Sequence, residues 1–360
     1  MFKFNDFQLI LAVLVVVTFG FLIHQSVSPA GLNLQVVHLS LGFLLALLVT
    51  RLDLKSSSAF RLHLYLLSCL LLISTLIIGA ASRGSTRWLD LGPLRFQPSE
   101  LAKPLLILSF ASSLAQTNLR GLKHVLRATL PYGLPLLLIF LQPDFGTVII
   151  ITLILSGMLF ASGLRLKHIA VLVLITLLIS PLLWLTLKDY QKSRVLTFVN
   201  PAADPLGKGY NSIQSVIAVG SGQLTGRGLG HGTQTKLRFL PEHRTDFIFA
   251  SLAEELGFLG SFLLVTAYAW LIIRLFKLAA LAPTTYSYLA IIGIATMFAS
   301  QTLINIGMNI GLLPVTGITL PLVSSGGTST ITALASLGIA VGLSAPPRPR
   351  ASIEINAAPG

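Results

Sequence analysis

LPEHRTDFIFASLAEELG, residues 240–257, joins a long polar stretch to a long apolar one, and the carboxylate of Asp246 stands at the joint. From Asp246 the chain runs to residue 278 with few charges, long enough for a helix that crosses a membrane. An acid placed where polar sequence enters the bilayer can meet a substrate whose head is in water and whose tail is in lipid. The residues on either side decide what surrounds it.

Apolar runs of the same kind recur from Phe7 to Leu343. Of the 360 residues, 54 % are hydrophobic and only 10 % are charged, against about 25 % charged in soluble proteins. The pattern predicts an all-α polytopic membrane protein with about ten transmembrane helices: 7–24, 33–50, 62–80, 98–116, 124–141, 144–163, 167–187, 246–278, 285–310 and 317–344. The first run is too long for the apolar part of a signal peptide and lacks a small-residue cleavage site, so it is expected to be retained. Residues 1–344 then form one transmembrane domain with a large outer loop at 188–245, between helices seven and eight. The Pro-rich, apolar-poor tail at 345–360 is expected to be disordered and cytoplasmic.

Lys and Arg placement sets the orientation. Short inner connections hold Arg51, Lys55 and Arg61, then Arg120, Lys123 and Arg127, then Arg165 and Lys167, then Arg274 and Lys277. The outer connections at 25–32, near Gln142–Asp144 and at 311–316 hold none, which places both ends inside. Two outer segments are basic nonetheless: 81–97 has Arg83, Arg87 and Arg95, and 188–245 includes Lys188, Lys192, Arg194, Lys208, Arg227, Lys236, Arg238 and Arg244. Long loops translocate regardless of charge. As a group these residues suit an anionic partner such as a lipid diphosphate, although each alone reads equally as solvated surface. The net charge of +13 comes with no nucleic-acid-binding module. The single Cys69 permits no intrachain disulfide and reads as a small apolar filler, and no Cys/His spacing suits zinc.

Charges inside apolar helices each cost about 2.5–3.5 kcal/mol at mid-bilayer and need a reason. Glu100 and Lys103 are three apart and share one helix face. A first-turn acid is favoured by the helix dipole, which accounts for Glu100; Lys103 in the same turns is not, which points to a substrate or ion site. Asp144 suits a helix N-cap as well as a site, and Trp88 suits an interfacial anchor. Asp246, Ala250 and Glu254 recur every four residues, and Glu254 and Glu255 lie about two turns deeper, so a polar cavity facing Asp246 is expected. The glycine-rich stretch 220–232 lacks the Lys-Ser/Thr ending of a P-loop and reads as a flexible or closely packed loop. Gly and Ser at 323–329 interrupt the last helix, where unwound backbone would line a cavity and Ser324 would offer a hydroxyl. His231 and His243 have no partner at ligand spacing.

Five segments taken together resemble the shape, elongation, division and sporulation (SEDS) family over nearly the whole chain. They are GSTRWLDLGPLRFQPSELAK (84–103), QPDFGT (142–147), the run from Lys192 to Gly230, LPEHRTDFIFASLAEELG and LPLVSSGGTS (320–329). GTQTKLRFLPE and the short N-terminus are more similar to the rod-shape (RodA) branch than to the division branch. The resemblance implies a peptidoglycan glycosyltransferase of the bacterial cytoplasmic (inner) membrane that polymerises lipid II at the outer face during cell elongation. It implies a class B penicillin-binding protein as partner, a divalent cation (Mg2+ or Mn2+) and no organic cofactor. The family's essential acid falls on Asp246, and its other sensitive positions fall on Trp88, Glu100, Lys103 and Asp144. Two positions depart from the family pattern: no basic residue flanks Gln35, and Ser325 stands where a Tyr is common.

On this reading Asp246 takes the proton of the attacking sugar hydroxyl, and one base suffices for inverting transfer. Arg194, Lys208, Arg244 and Lys103 are candidates to meet the departing diphosphate, and Arg95, Glu254 and Ser324 are further candidate contacts. Ten helices with intramembrane charges also suit a lipid II flippase, and a non-catalytic scaffold that activates its penicillin-binding partner is a third reading. The acids toward the outer side and the lack of an inverted repeat speak against transport.

Overall fold

The computed structural model describes residues 4–52, 59–82, 85–91, 94–117, 121–164, 185, 189–207, 209–237 and 239–345. The helices are α1 (Phe4–Val27), α2 (Leu32–Arg51), α3 (Arg61–Ile78), α4 (Pro98–Gln116), α5 (Leu122–Thr129), α6 (Gly133–Leu141), α7 (Phe145–Ala161), α8 (Asp189–Val199), α9 (Tyr210–Ser221), α10 (Thr233–Lys236), α11 (Ile248–Ala280), α12 (Thr285–Asn309) and α13 (Gly327–Ser344). Among the described residues, seven helical stretches are long and apolar enough to cross a membrane, including 123–141, which spans α5 and α6. Pro131, which cannot donate to a helix, and Gly133 account for the 3-10 turn Leu130–Tyr132 between those two. Two more expected spans are α4, whose Glu100, Lys103 and Pro104 dilute its apolar character, and the 17-residue α7. The span expected at 167–187 and the tail from residue 346 lie outside the described residues, apart from Leu185.

Every spanning helix is apolar, so burial rather than composition sorts them. In α12, 78 % of the apolar window is buried inside the protein; in α2 only 17 % is. Accordingly α12 packs on α4, α7, α11 and α13 at the centre, while α2 lies outside against α13 and turns Leu34, Phe43, Leu44 and Leu48 outward. Such faces meet lipid, which is as apolar as they are, so tight packing must hold the helices together. Gly338 supplies it at the α2–α13 crossing, where a Cβ would come within 2.5 Å of the Ala46 carbonyl oxygen.

One end of the bundle gathers the 28–31 turn, 142–144, 310–326 and the described residues within 80–97 and 189–247, joined by contacts such as Arg244–Ser28, Arg87–Asp144 and Ser325–Arg244. The described basic residues Arg51, Arg61, Lys123, Arg127, Arg274 and Lys277 lie toward the other, which is the cytoplasmic end by the charge asymmetry above. At the outer end, the expected loop at 81–97 is largely a small antiparallel sheet of β1 (Ala80–Ser82), β2 (Ser85–Leu91) and β3 (Leu94–Phe96). Trp88 pairs with Ala80, and Asp90 with Arg95.

Helix α11 is not continuous. Gly257 has φ 65° and ψ −163°, a region open essentially only to glycine. The groups freed by the break are taken up by the glycine-rich loop: Phe258 and Leu259 donate to the Gln223 and Leu224 carbonyls, and Arg227 and Gly228 donate to those of Glu254 and Glu255, at 2.8–3.0 Å. The stretch at 220–232 is therefore the closely packed of the two alternatives. Before the break, residues 248–255 are buried in protein; after it, Phe258, Leu259, Phe262 and Leu263 face outward. The lipid-facing part of α11 thus starts at Phe258, and Glu254 and Glu255 sit beyond it, under the loop. A Cβ on Gly257 would lie 2.2 Å from the Gly226 nitrogen. Gly257→Ala is expected to cost about 1–3 kcal/mol in backbone strain and to expose residues 220–232 to protease. Thermal unfolding and limited proteolysis read both effects; a variant as stable and resistant as the parent would refute a rigid break.

Candidate functional site

Asp246 lies in the turn just ahead of α11 and is partly buried. Its segment is held by the main chain. The Arg244 carbonyl accepts from the Ser325 backbone N–H at 2.9 Å, and the Thr245 carbonyl from Ser324 Oγ at 2.6 Å. The Asp246 carbonyl accepts from the side-chain amides of Asn305 and Asn309, at 2.9 and 3.0 Å. Three consecutive carbonyls are thus tied to the end of α12 and to the unwound stretch before α13. Asn305 also donates to the Ile318 carbonyl at 2.7 Å, and Asn309 Oδ1 accepts from the Ala250 N–H at 3.1 Å. Buried amides with this many partners fix one arrangement of the backbone.

The Asp246 carboxylate faces Gly317, where a Cβ would stand 3.5 Å from Oδ2. Gly317 has φ +76°, a backbone conformation that favours glycine. The same glycine lines a cavity of about 20 Å3, together with Gln97, Glu100, Lys103, Thr147 and Gln301. That volume holds about one water. At its wall Lys103 Nζ pairs with Glu100 Oε1 at 2.7 Å, with the Lys103 side chain only 2 % exposed. A buried cation of this kind is tolerated because its carboxylate lies one helical turn away.

Asp144 caps α7 and also does more. It accepts from the Thr147 N–H at 3.2 Å and from Thr147 Oγ1 at 2.9 Å. Gln97 Nε2 reaches it at 3.3 Å, and Arg87 lies 3.6 Å away while also donating to the Pro143 carbonyl. The two readings of Asp144, cap and site residue, are therefore compatible, and it joins the 97–103 and 142–147 segments.

The remaining candidates are spread more widely. Trp88 is on β2, partly buried, and Arg95 forms a mostly exposed pair with Asp90 at 3.2 Å. Ser324 is buried and serves as a positioning residue, accepting from the Leu320 N–H and donating to Thr245. Arg244 is exposed and donates to Ser28 Oγ at 3.1 Å. Arg194 is on α8, but its side chain, like the whole of Lys208, lies outside the described residues. Glu254 corrects an expectation. It does not share an open cavity with Asp246: its two oxygens accept from the N–H groups of Gln234 and Thr235 and from the hydroxyls of Thr233 and Thr235. It holds the start of α10, at the free N–H groups of a helix terminus.

Sequence reasoning missed Asn305 and Asn309. Their signal was present: two amides four residues apart in an apolar helix, each costly in lipid unless it bonds inward. Gln97 and Arg87, which connect to Asp144, were also passed over as site residues.

The fold and this site define a multi-pass membrane protein with an anchored carboxylate and a buried ion pair at its outer end. The chain belongs to the cell cycle protein family of FtsW, RodA and SpoVE, whose family model it matches over residues 4–347. It is 39 % identical over 345 residues to the peptidoglycan glycosyltransferase MrdB of Escherichia coli K12, covering 94 % of this chain and 93 % of that one. It is 38 % identical over 352 residues to the probable peptidoglycan glycosyltransferase FtsW of Thiomicrospira cyclica, covering 93 % and 90 %. Among solved structures, a chain of a peptidoglycan synthase complex, studied for the coordination of polymerization and crosslinking, superposes with a TM-score of 0.81 at 36 % identity, covering 95 % of this chain and 98 % of that one. The rod shape determining protein RodA of Thermus thermophilus superposes with a TM-score of 0.70 at 32 % identity, covering 93 % and 95 %. The chain is accordingly a protein of the bacterial inner membrane.

Proposed function

We propose that this chain is a peptidoglycan glycosyltransferase that polymerises lipid II at the outer face of the inner membrane during cell elongation, with a class B penicillin-binding protein supplying crosslinking. The observation that carries the mechanism is Asp246: a carboxylate on an anchored backbone, beside the cavity walled by Lys103 and Glu100. The 4-hydroxyl oxygen of the acceptor sugar attacks the anomeric carbon of the donor. The new C–O bond forms as the bond to the lipid diphosphate breaks, and the diphosphate leaves with the electron pair. Asp246 takes the hydroxyl proton. An anchored base needs little reorganisation as the reaction proceeds, which is where preorganised sites lower a barrier.

The diphosphate carries the developing charge, and Arg244, an exposed cation two residues from Asp246, is our candidate to meet it. A divalent cation would assist there. Among the described residues no three His, Cys, Asp or Glu side chains come together as a metal cage. Mg2+ commonly binds through one or two carboxylates plus substrate phosphates, and that mode fits this donor set.

The test is glycan formation from lipid II by the purified chain with its penicillin-binding protein and a divalent cation. Long glycan strands are expected. Lipid II crossing the vesicle membrane without product would favour a flippase, and stimulation of the partner with neither activity would favour a scaffold.

A further inference from the structure

A second and larger cavity lies at the outer end, behind the segment that carries the base. Its volume is about 440 Å3, and it is lined by the 26–30 turn, Gly230, Thr235, Lys236, His243, Arg244 and Glu255. That size falls within the roughly 300–1,000 Å3 of small-molecule sites. The cavity that Gly317 lines holds only about one water, whereas this one has room for a sugar.

Its chemistry is mixed in a particular way. Arg244 and Lys236 are exposed cations on its rim, and the ion pairs among the described residues (Arg87–Asp144, Arg95–Asp90 and Lys103–Glu100) include neither. Below them Glu255 is 2 % exposed. Its Oε1 accepts from Ser26 Oγ at 2.8 Å and the Gly230 backbone N–H approaches the carboxylate, while Oε2 is buried with no hydrogen bond of good geometry among the described residues. A buried acceptor left open in a cavity wall calls for a donor. A bare diphosphate supplies negative charge to the rim but no sugar-like hydroxyl for Glu255, whereas a hydroxylated lipid head such as phosphatidylglycerol shares the chemistry of phosphate plus hydroxyl and is separated by competition below. A phosphorylated sugar supplies both, its phosphates to Arg244 and Lys236 and a hydroxyl or amide N–H to Glu255. The site also stands at the outer end of α1, where a membrane-anchored headgroup emerges.

We propose that this cavity, bordered by His243 and Arg244 of the segment that carries the base, is the headgroup subsite for one of the two lipid-linked sugars. The assignment rests on the polymerase reading above. Arg244, on the rim, is two residues from Asp246 along the chain, so the subsite borders the segment that carries the base.

The experiment uses lipid II carrying a photoreactive group on its sugar, bound to the full-length Asp246→Asn chain in complex with its penicillin-binding protein. Label is expected on peptides containing residues 26–30 or 230–236. Lys236→Glu, which reverses the rim charge, and Ala30→Trp, which fills the cavity, are each expected to cut that label at least tenfold without lowering the unfolding temperature. Label elsewhere only, or label insensitive to both variants, overturns the subsite. Displacement by equal phosphatidylglycerol or inorganic diphosphate marks a general anion site and overturns it too. A wild-type complex that makes glycan while this region stays unlabelled sinks the subsite alone; one that makes no glycan sinks the polymerase reading with it.

Discussion

Asp246→Asn is expected to abolish glycan polymerisation while leaving membrane insertion, stability and partner binding unchanged. The amide has the shape of the acid but cannot take a proton, and a positioned general base contributes about 10^2–10^4 in rate. The segment itself should not move, because the bonds that anchor it grip the carbonyls of Arg244, Thr245 and Asp246. Polymerisation assays on purified complexes, with unfolding temperature and co-purification as controls, check both halves. More than a tenth of the parent activity in the variant would move the chemistry elsewhere.

Lys103→Met is expected to destabilise the protein by about 3–5 kcal/mol, because it leaves the Glu100 carboxylate buried without its cation. Adding Glu100→Gln removes the stranded charge, and the double variant is expected to regain most of that stability. Polymerisation is not expected to return with it. A pair placed only for packing would recover stability and activity together, whereas a pair that meets substrate recovers stability alone. Thermal unfolding of single and double variants in detergent, beside the polymerisation assay, separates the two cases.

Much of this was legible in the sequence for reasons that can be named. Apolar runs gave the spans, because lipid makes length and apolarity the main requirements. Glu100 and Lys103 were legible because a charge in a spanning helix is costly enough to need a cause, and Asp144 because an acid ahead of an apolar run suits an N-cap. The structure brings Lys103 and Glu100 to a cavity lined by Gly317, the glycine that the Asp246 carboxylate faces. What stayed hidden was mostly backbone. The three strands within 80–96 are too short for periodicity to register. The break at Gly257 looks, in LAEELGFLG, like one small residue in a helical run; only the approach of residues 223–228 shows why no side chain fits. Glu254 was misjudged because its partners, Thr233, Gln234 and Thr235, lie about twenty residues away across a loop whose path the sequence does not dictate.

The anchoring of the base also bears on the order of synthesis. Asn305 and Asn309 leave the ribosome 59 and 63 residues after Asp246, and Ser324 follows Thr245 by 79. At about 5–20 residues per second the acid waits several seconds for the groups that fix it. A nascent chain with its outer loop already across the membrane therefore carries the acid but not its alignment, and the enzyme comes into being only when its last helix is threaded. Stalled or truncated chains would occupy the membrane without consuming substrate, a safeguard set by chain order alone.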